Sequence, residues 1–309
     1  MKQMFRLLLT GATPKDRESA ASLIKSDLEQ CALHVFVCPD IDTYKGEGMS
    51  EESVMHSIMD GEDCLVRQAR EYDSVVIFRG GALDAGETES RNIIMLRDGR
   101  YDAVVILKKN DVRLFEKTVA KWEGHHHLRI FDSEHGNMHH IQELARHIVG
   151  VPQHMEVERK YLIDSDTQCS VGVEVEIWQT YLRYPDGSKG RLRKRGMGGE
   201  YVFFHTSKTR IGDGRNIEEE RIISETEYSD LQRFADCERR TVHKLRRCFV
   251  WEDQYFELDT FLDPRLEYKL LEIEDVENPN DVHIPPFLKV VRDVTGEAEY
   301  SNSQMARIK

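Results

Sequence analysis

The chain has 309 residues, 39% hydrophobic and 32% charged, with a formal net charge of −13, which suits a soluble globular protein of about two domains. No apolar run approaches a membrane span, and the acidic balance argues against a generally basic nucleic-acid-binding surface, though it leaves room for a local basic patch. The six cysteines are scattered without a CxxC pair, which speaks against a zinc ribbon or disulfide framework and for a reducing, cytoplasmic compartment.

Residues 1–150 alternate short apolar strands with helical stretches. The start, MKQMFRLLLTGA, reads better as a first strand ending at Gly11 than as a signal peptide. ESAASLIKSDLEQC predicts an amphipathic helix, LHVFVCPD a second strand, and SEESVMHSIMDGEDCLVRQAREY another helix. DSVVIFRGG and YDAVVIL predict the third and fourth strands, and IQELARHIVG a closing helix with Gly150 as its C-cap. This alternation predicts an α/β domain with a parallel sheet covered on both faces. The histidine-rich stretch HHHLRIFDSEHGNMHHIQELARH contains His135 and His139 at i, i+4 spacing. It lacks accompanying cysteines or paired acids, so it reads as a solvated polar segment rather than a metal site. Residues 151–153 read as a linker.

From residue 154 to 309 the rhythm changes. MEVERKYLI, VGVEVEIWQTYL, GRLRKRG, YVFFHTSKT, NIEEERIIS, TVHKLRRCFVW, YFELDTF and YKLLEIEDVE alternate charged and apolar residues, with turn signals at PDGSKG, GMGG and IGDGRN. EYSDLQRFADC interrupts them with a helix. About eight antiparallel strands are expected, enough to close into a barrel.

These strands carry their charges in i, i+2 pairs, which point to one face of a strand. The acidic pairs are Glu156/Glu158, Glu218/Glu220 and Glu272/Glu274; the basic ones are Arg191/Arg193 and Lys244/Arg246, with Lys208 alone on its strand and Lys160 extending the Glu156/Glu158 row. Two arrangements remain open from the residues alone. Either every pair lies on the solvated face of a two-sided sheet, or all point inward and line a polar tunnel. A tunnel of buried like charges needs a ligand to hold it. Mg2+ or Mn2+ on the carboxylates and a polyphosphate on the Lys and Arg residues would supply that balance.

In order along the chain, Glu156-x-Glu158-x-Lys160, QTYL, Arg191-Leu-Arg193, Lys208, EEERIISETEY, Lys244-Leu-Arg246, FELDTF with Asp259, LLEIE and RDVTGEAEYSN resemble the CYTH superfamily, the triphosphate tunnel metalloenzymes. That family includes class IV adenylate cyclases, thiamine triphosphatases and inorganic triphosphatases. The resemblance implies Glu156, Glu158, Glu272, Glu274 and Asp259 as ligands of Mg2+ or Mn2+, and Glu218 and Glu220 as groups that position metal or water. Lys160, Arg191, Arg193, Lys208, Lys244 and Arg246 would hold the triphosphate. It further implies metal-dependent hydrolysis of inorganic, thiamine or nucleoside triphosphate, by in-line attack of a positioned water on the terminal phosphorus. Two alternatives accompany it: a non-catalytic module that binds polyphosphate, phosphoinositide or a protein partner, and an RNA 5′-triphosphatase.

The first half resembles a P-loop kinase-like domain fused to such a barrel. LLLTGATPKDRESAASL lies where a phosphate loop would, but Asp16, Arg17 and Glu18 replace its second glycine, lysine and Ser/Thr. An acidic residue there repels phosphate, and Glu18 cannot serve as the small hydroxyl ligand of Mg2+. Phe78 replaces the acidic residue that relatives carry before Arg-Gly. The expectation is a degenerate, nucleotide-free scaffold, with Lys15 and Arg17 offering at most a weak anion site at the helix start.

Overall fold

The computed structural model describes residues 4–86, 90–134, 138–151, 158–212, 215–276 and 278–308, without the side chains of 90–92 and 208–219. The chain divides into two units, Met1–Met155 and Glu156–Lys309. No described helix is long and apolar enough to cross a membrane.

In the first unit the elements run β1 (Met4–Gly11), α1 (Pro14–Gln30), β2 (His34–Asp40), α2 (Glu51–Ala69), β3 (Ser74–Arg79), α3 (Ala82–Ala85), α4 (Ser90–Arg97), β4 (Ala103–Lys108), α5 (Val112–Trp122), β5 (Leu128–Asp132) and α6 (His140–Val149). The strands form a parallel sheet in the order β2-β3-β1-β4-β5. Leu7 to Leu9, Val75 to Phe78 and Val104 to Leu107 are buried as unbroken apolar runs, as strands covered on both faces require. Ala20, Ala21, Ile24 and Leu28 of α1 pack with Ile141, Ala145 and Ile148 of α6 over one face. Gly150, with φ 82°, caps α6 as expected.

Part of the histidine-rich stretch is interior, against the expectation of a solvated segment. Leu128 and Phe131 give it a fifth strand, and His125 is fully buried. His125 Nδ1 accepts from the His127 N–H, and its Nε2 lies 3.1 Å from the Tyr101 carbonyl oxygen, so both ring nitrogens are satisfied. Apolar residues at 128 and 131 carry the segment into the core despite its polar neighbours. The expected His135/His139 spacing cannot be followed further, because His135 lies outside the described residues.

At the end of β1, a Cβ on Gly11 would lie 2.7 Å from the Leu107 carbonyl oxygen and φ is +71°, so only glycine fits. The loop then closes on itself. Thr13 and Asp16 form a capping box at the start of α1, and Lys109 reaches Asp16 at 2.9 Å. Arg17 does not face solvent as a weak anion site would. It is buried, with Nε and Nη2 on the two Asp40 oxygens at 2.8 Å and Nη1 on the carbonyls of Gly11 and Ala12 at 3.1 Å. Glu18 pairs with Arg79. Phe78 is buried edge-on against Tyr101.

The second unit contains β6 (Glu158–Asp164), β7 (Val173–Arg183), β8 (Lys189–Met197), β9 (Glu200–Gly212), β10 (Arg215–Ile223), α7 (Glu225–Leu231), β11 (Val242–Trp251), β12 (Gln254–Asp263), β13 (Arg265–Glu274), β14 (Val290–Asp293) and α8 (Asn302–Met305). The sheet has nine strands, in the order β10-β9-β8-β7-β11-β12-β13-β6-β14. This corrects the expectation of an eight-stranded closed barrel. The short β14 pairs with the outer edge of β6, Val290 opposite Ile163, and so takes the edge that a closing strand would need. Among the described residues the ends β10 and β14 are not joined.

Strand parity separates two faces. One is covered by apolar clusters: Tyr161, Ile163, Phe249, Phe256, Leu258, Leu271 and Ile273 under Leu288, and Leu182, Leu192 and Ile223 under Tyr228 of α7. The other face carries the i, i+2 charged pairs Arg191/Arg193, Lys244/Arg246 and Glu272/Glu274.

Candidate active site

Residues directly opposed in an antiparallel ladder project from the same face. Glu274 lies opposite Glu158, and Glu272 opposite Lys160. Glu257 lies opposite Glu272, Asp259 opposite Arg246, and Cys248 opposite Glu257. Lys244 lies opposite Ile177, Arg193 opposite Gln179, and Arg191 opposite Tyr181. Arg191 also lies opposite Thr206, and Thr206 opposite Glu220. One face therefore collects charged residues of six strands. Arg195 on β8 reaches Cys248 on β11 at 3.8 Å across β7, and Tyr181 on β7 lies near enough to Lys160 on β6, four strands away in the sheet order, to feel its charge, so this face is concave.

The concave face is largely dry. Relative exposure is 2% for Lys244, 8% for Arg246, 6% for Glu257, 0% for Asp259 and 5% for Glu272. Of the two arrangements left open by the residues, the solvated one does not hold for these five. Burying them requires paired and hydrogen-bonded charges. Arg246 makes a two-point contact with Asp259, Nε to Oδ1 and Nη2 to Oδ2, both 2.7 Å. Its Nη2 also meets Glu272 at 2.6 Å, and its Nη1 meets Glu257. Lys244 Nζ donates to Asp259 and to Asn302 Oδ1, the latter at 3.3 Å. Lys160 Nζ bridges Glu272 at 2.9 Å and Glu158 at 3.2 Å.

Burial and neighbouring charges pull these groups in opposite directions. Burial disfavours the Lys160 ammonium, but Glu272 and Glu158 outweigh it and hold it above the ordinary lysine range. Burial would raise the Glu272 carboxyl, but Lys160, Arg246 and Lys244 hold it well below the usual carboxylate range. For Lys244, burial and the Arg246 guanidinium win, and its ammonium is pushed down. Glu257 is pushed up by burial against the pull of Arg246.

A second cluster lies on β8 to β10. Arg191 Nη2 and Arg193 Nη2 share the Glu220 carboxylate, Arg191 at 3.0 Å. Thr206 Oγ1 donates to Glu220 at 2.7 Å and accepts from Arg191 at 3.1 Å. Arg193 stands over the Phe204 ring at 5.0 Å, and its Nε is buried with no hydrogen-bond partner among the described residues. Burial pushes the Arg193 guanidinium down, with Glu220 opposing and Arg191 adding to the effect. Two guanidiniums therefore converge on one carboxylate here. Glu158 and Glu274 are directly opposed, a like-charge arrangement that a cation stabilises. Beside Glu158 and Lys160 a cavity of about 190 Å3 is walled by Val294, Gly296, Glu297, Ala298 and Ser301.

Glu158 and Glu274 are oxygen donors of the type hard divalent cations take, and their opposed position fits a shared cation. Among the described residues no three acidic, histidine or cysteine side chains converge on one point; Glu156, expected as a further ligand, lies outside them. Asp259 instead has both oxygens on cations. Lys208 pairs in register with Lys189 and Glu218, and the side chains of Lys208 and Glu218 lie outside the description. Sequence reasoning passed over Glu257, Arg195, Thr206 and Asn302. Glu257 forms an i, i+2 pair with Asp259, and Arg195 extends the Arg191/Arg193 row, so the signal used elsewhere applied to both. Thr206 and Asn302 carried no comparable signal.

No protein-family profile matches the chain. The chain is similar to the inorganic triphosphatase of Acetivibrio thermocellus, 28% identical over 155 residues, which are 49% of this chain and 93% of that protein. Among solved structures, the inorganic triphosphatase NE1496 is similar at 28% identity and a TM-score of 0.36, over 49% of this chain and 94% of that one. The Hippeastrum protein HpAC1, described as having a dominant triphosphatase activity, is similar at 16% identity and a TM-score of 0.28, over 40% of this chain and 80% of that one.

Proposed function

We propose that the concave face of the C-terminal unit hydrolyses a triphosphate in a metal-dependent reaction. The observation that carries this reading is the gathering of Lys160, Arg191, Arg193, Lys244 and Arg246 on one face with Glu158, Glu220, Glu272 and Glu274. The similarity to an inorganic triphosphatase supports it, over a span about the length of this unit. In this reading Lys160, Arg191, Arg193, Lys208, Lys244 and Arg246 hold the phosphate oxygens. Arg191 and Arg193 can each take them in a two-point contact.

Glu156, Glu158 and Glu274 would hold Mg2+ or Mn2+, with Glu272 and Asp259 behind them. The bound ion would supply charge screening for the phosphates. Glu218 and Glu220 orient a water for in-line attack on the terminal phosphorus. A bond forms from the water oxygen, the anhydride bond breaks, and a carboxylate accepts the water's proton. Such transfer depends chiefly on positioning and charge stabilisation. Asp259 serves mainly to fix Lys244 and Arg246, since both its oxygens already receive their hydrogen bonds.

The first unit is, in the same proposal, a nucleotide-free scaffold. Arg17 is committed to Asp40 and to loop carbonyls, so the loop is held without a ligand.

Phosphate release from inorganic triphosphate, thiamine triphosphate and ATP, each with Mg2+ or Mn2+, tests the hydrolysis. Turnover of at least one is expected. Absence of turnover on all three, or turnover that survives Glu156→Ala with Glu158→Ala, would overturn the reading. Tight triphosphate binding without turnover would favour the binding-module alternative.

A further inference from the structure

The segment after β14 has no part in the roles above, yet it closes one end of the concave face. The Val294 N–H donates to the Lys160 carbonyl at 2.8 Å, and the Lys160 N–H donates to Thr295 Oγ1 at 3.0 Å. Arg240 N–H donates to the Ala306 carbonyl at 2.8 Å, and Ile308 N–H to the Glu238 carbonyl at 3.0 Å. Val294, Ala306, Tyr300 and Met305 pack on Val242, Phe261 and Leu270. The segment is thereby fastened by backbone bonds and an apolar plug, and α8 brings Asn302 Oδ1 to 3.3 Å from Lys244 Nζ.

We propose that Asn302 is a positioning residue for triphosphate binding, holding the Lys244 ammonium from the C-terminal segment without neutralising it. This rests on the reading that Lys244 binds phosphate. An ammonium has three donors. Asp259 takes one and Asn302 a second, so the direction of the third is set by the other two. Arg246 is already shared by Glu257, Glu272 and Asp259, whereas the carboxylate contact of Lys244 is Asp259. A carboxylate in the place of Asn302 would set a second anion directly on Lys244. The amide oxygen accepts the same hydrogen bond with no net charge, and Lys244 keeps its attraction for a polyanion. The ammonium also lies 5.5 Å from the centre of the Phe261 ring, another partner that orients it without cancelling its charge. The fit of the C-terminal segment and the affinity of the site are therefore linked through one side chain.

Asn302→Asp and Asn302→Ala separate this from a purely structural role. Asn302→Asp is nearly isosteric and keeps the acceptor. It is expected to raise KM for inorganic triphosphate by about tenfold or more, the size of one charge-assisted contact, while kcat stays within about threefold. Asn302→Ala is expected to lower kcat/KM by about tenfold or more. If Asn302 only ties down the segment, Asn302→Asp retains the tie and its KM equals that of the wild type, which overturns the proposal. Should Asn302→Ala fail to fold, the Asn302→Asp comparison decides alone. If the wild type binds inorganic triphosphate without turning it over, the hydrolysis reading fails while this one stands or falls on calorimetry, with weaker binding by Asn302→Asp expected. If the wild type does not bind it at all, both fall.

Discussion

Asp259→Asn probes the centre of the buried charge network. Asp259 is fully buried and accepts from Lys244 Nζ and twice from Arg246. An amide in its place keeps one acceptor oxygen and turns an N–H2 group toward two buried cations. Removing one partner of a buried ion pair costs about 3–5 kcal/mol. Here Arg246 retains Glu257 and Glu272, and Lys244 retains Asn302, so the lower end, about 3 kcal/mol, is expected. For a unit of this size that is a fall in melting temperature of about 6–12 °C. Hydrogen exchange on peptides covering β11 to β13 reads the loss within the C-terminal unit, and a thermal scan gives its overall size. Inorganic triphosphate at a hundred times its Kd should add about 2.7 kcal/mol by mass action to wild type and variant alike. A loss below about 1 kcal/mol, in the range of an exposed pair, would refute the reasoning that this network is held by mutual neutralisation.

Two further outcomes follow from the same geometry. Arg17→Ala leaves Asp40 buried without its guanidinium, and should destabilise the first unit by about 3 kcal/mol, read by urea unfolding, while ATP and GTP leave the wild-type melting temperature unchanged. Glu272 has a folded pKa held below its unfolded one by Lys160 and Arg246 against burial. Its stabilisation is therefore complete at neutral pH and is lost as pH falls from the unfolded glutamate value, about 4.3, toward the lowered folded value. Glu272→Gln should flatten that acid limb of the stability curve, and an unchanged limb would show that other carboxylates govern it.

Much of this architecture was legible in local pattern. Unbroken apolar runs announced the parallel strands β1, β3 and β4, because a strand covered on both faces cannot alternate. In the second half the period-two charges announced antiparallel strands with one polar face. The fifth parallel strand was hidden because its apolar residues, Leu128, Ile130 and Phe131, are broken by Arg129 and flanked by histidines. The ninth strand of the large sheet was hidden because Val290–Asp293 is only four residues long and exposed at each of them, so it has neither the length nor the alternation of a half-buried strand.

The alternation of Glu, Lys and Arg along single strands is local, and it determined which charged residues share a face within each strand. The direction of that face was not local. It depends on register between strands far apart in sequence and on the curl that brings β8 against β11. Only the tertiary structure decided that the charged face is the concave one, that Asp259 faces two cations, and that Asn302 joins them from the end of the chain. The same division holds at the first loop. From the sequence, Asp16, Arg17 and Glu18 at the positions of a phosphate loop's second glycine, lysine and Ser/Thr led to the expectation of a degenerate loop. Only the fold showed what Arg17 does instead, because its partner Asp40 lies on a different strand and nothing local links the two.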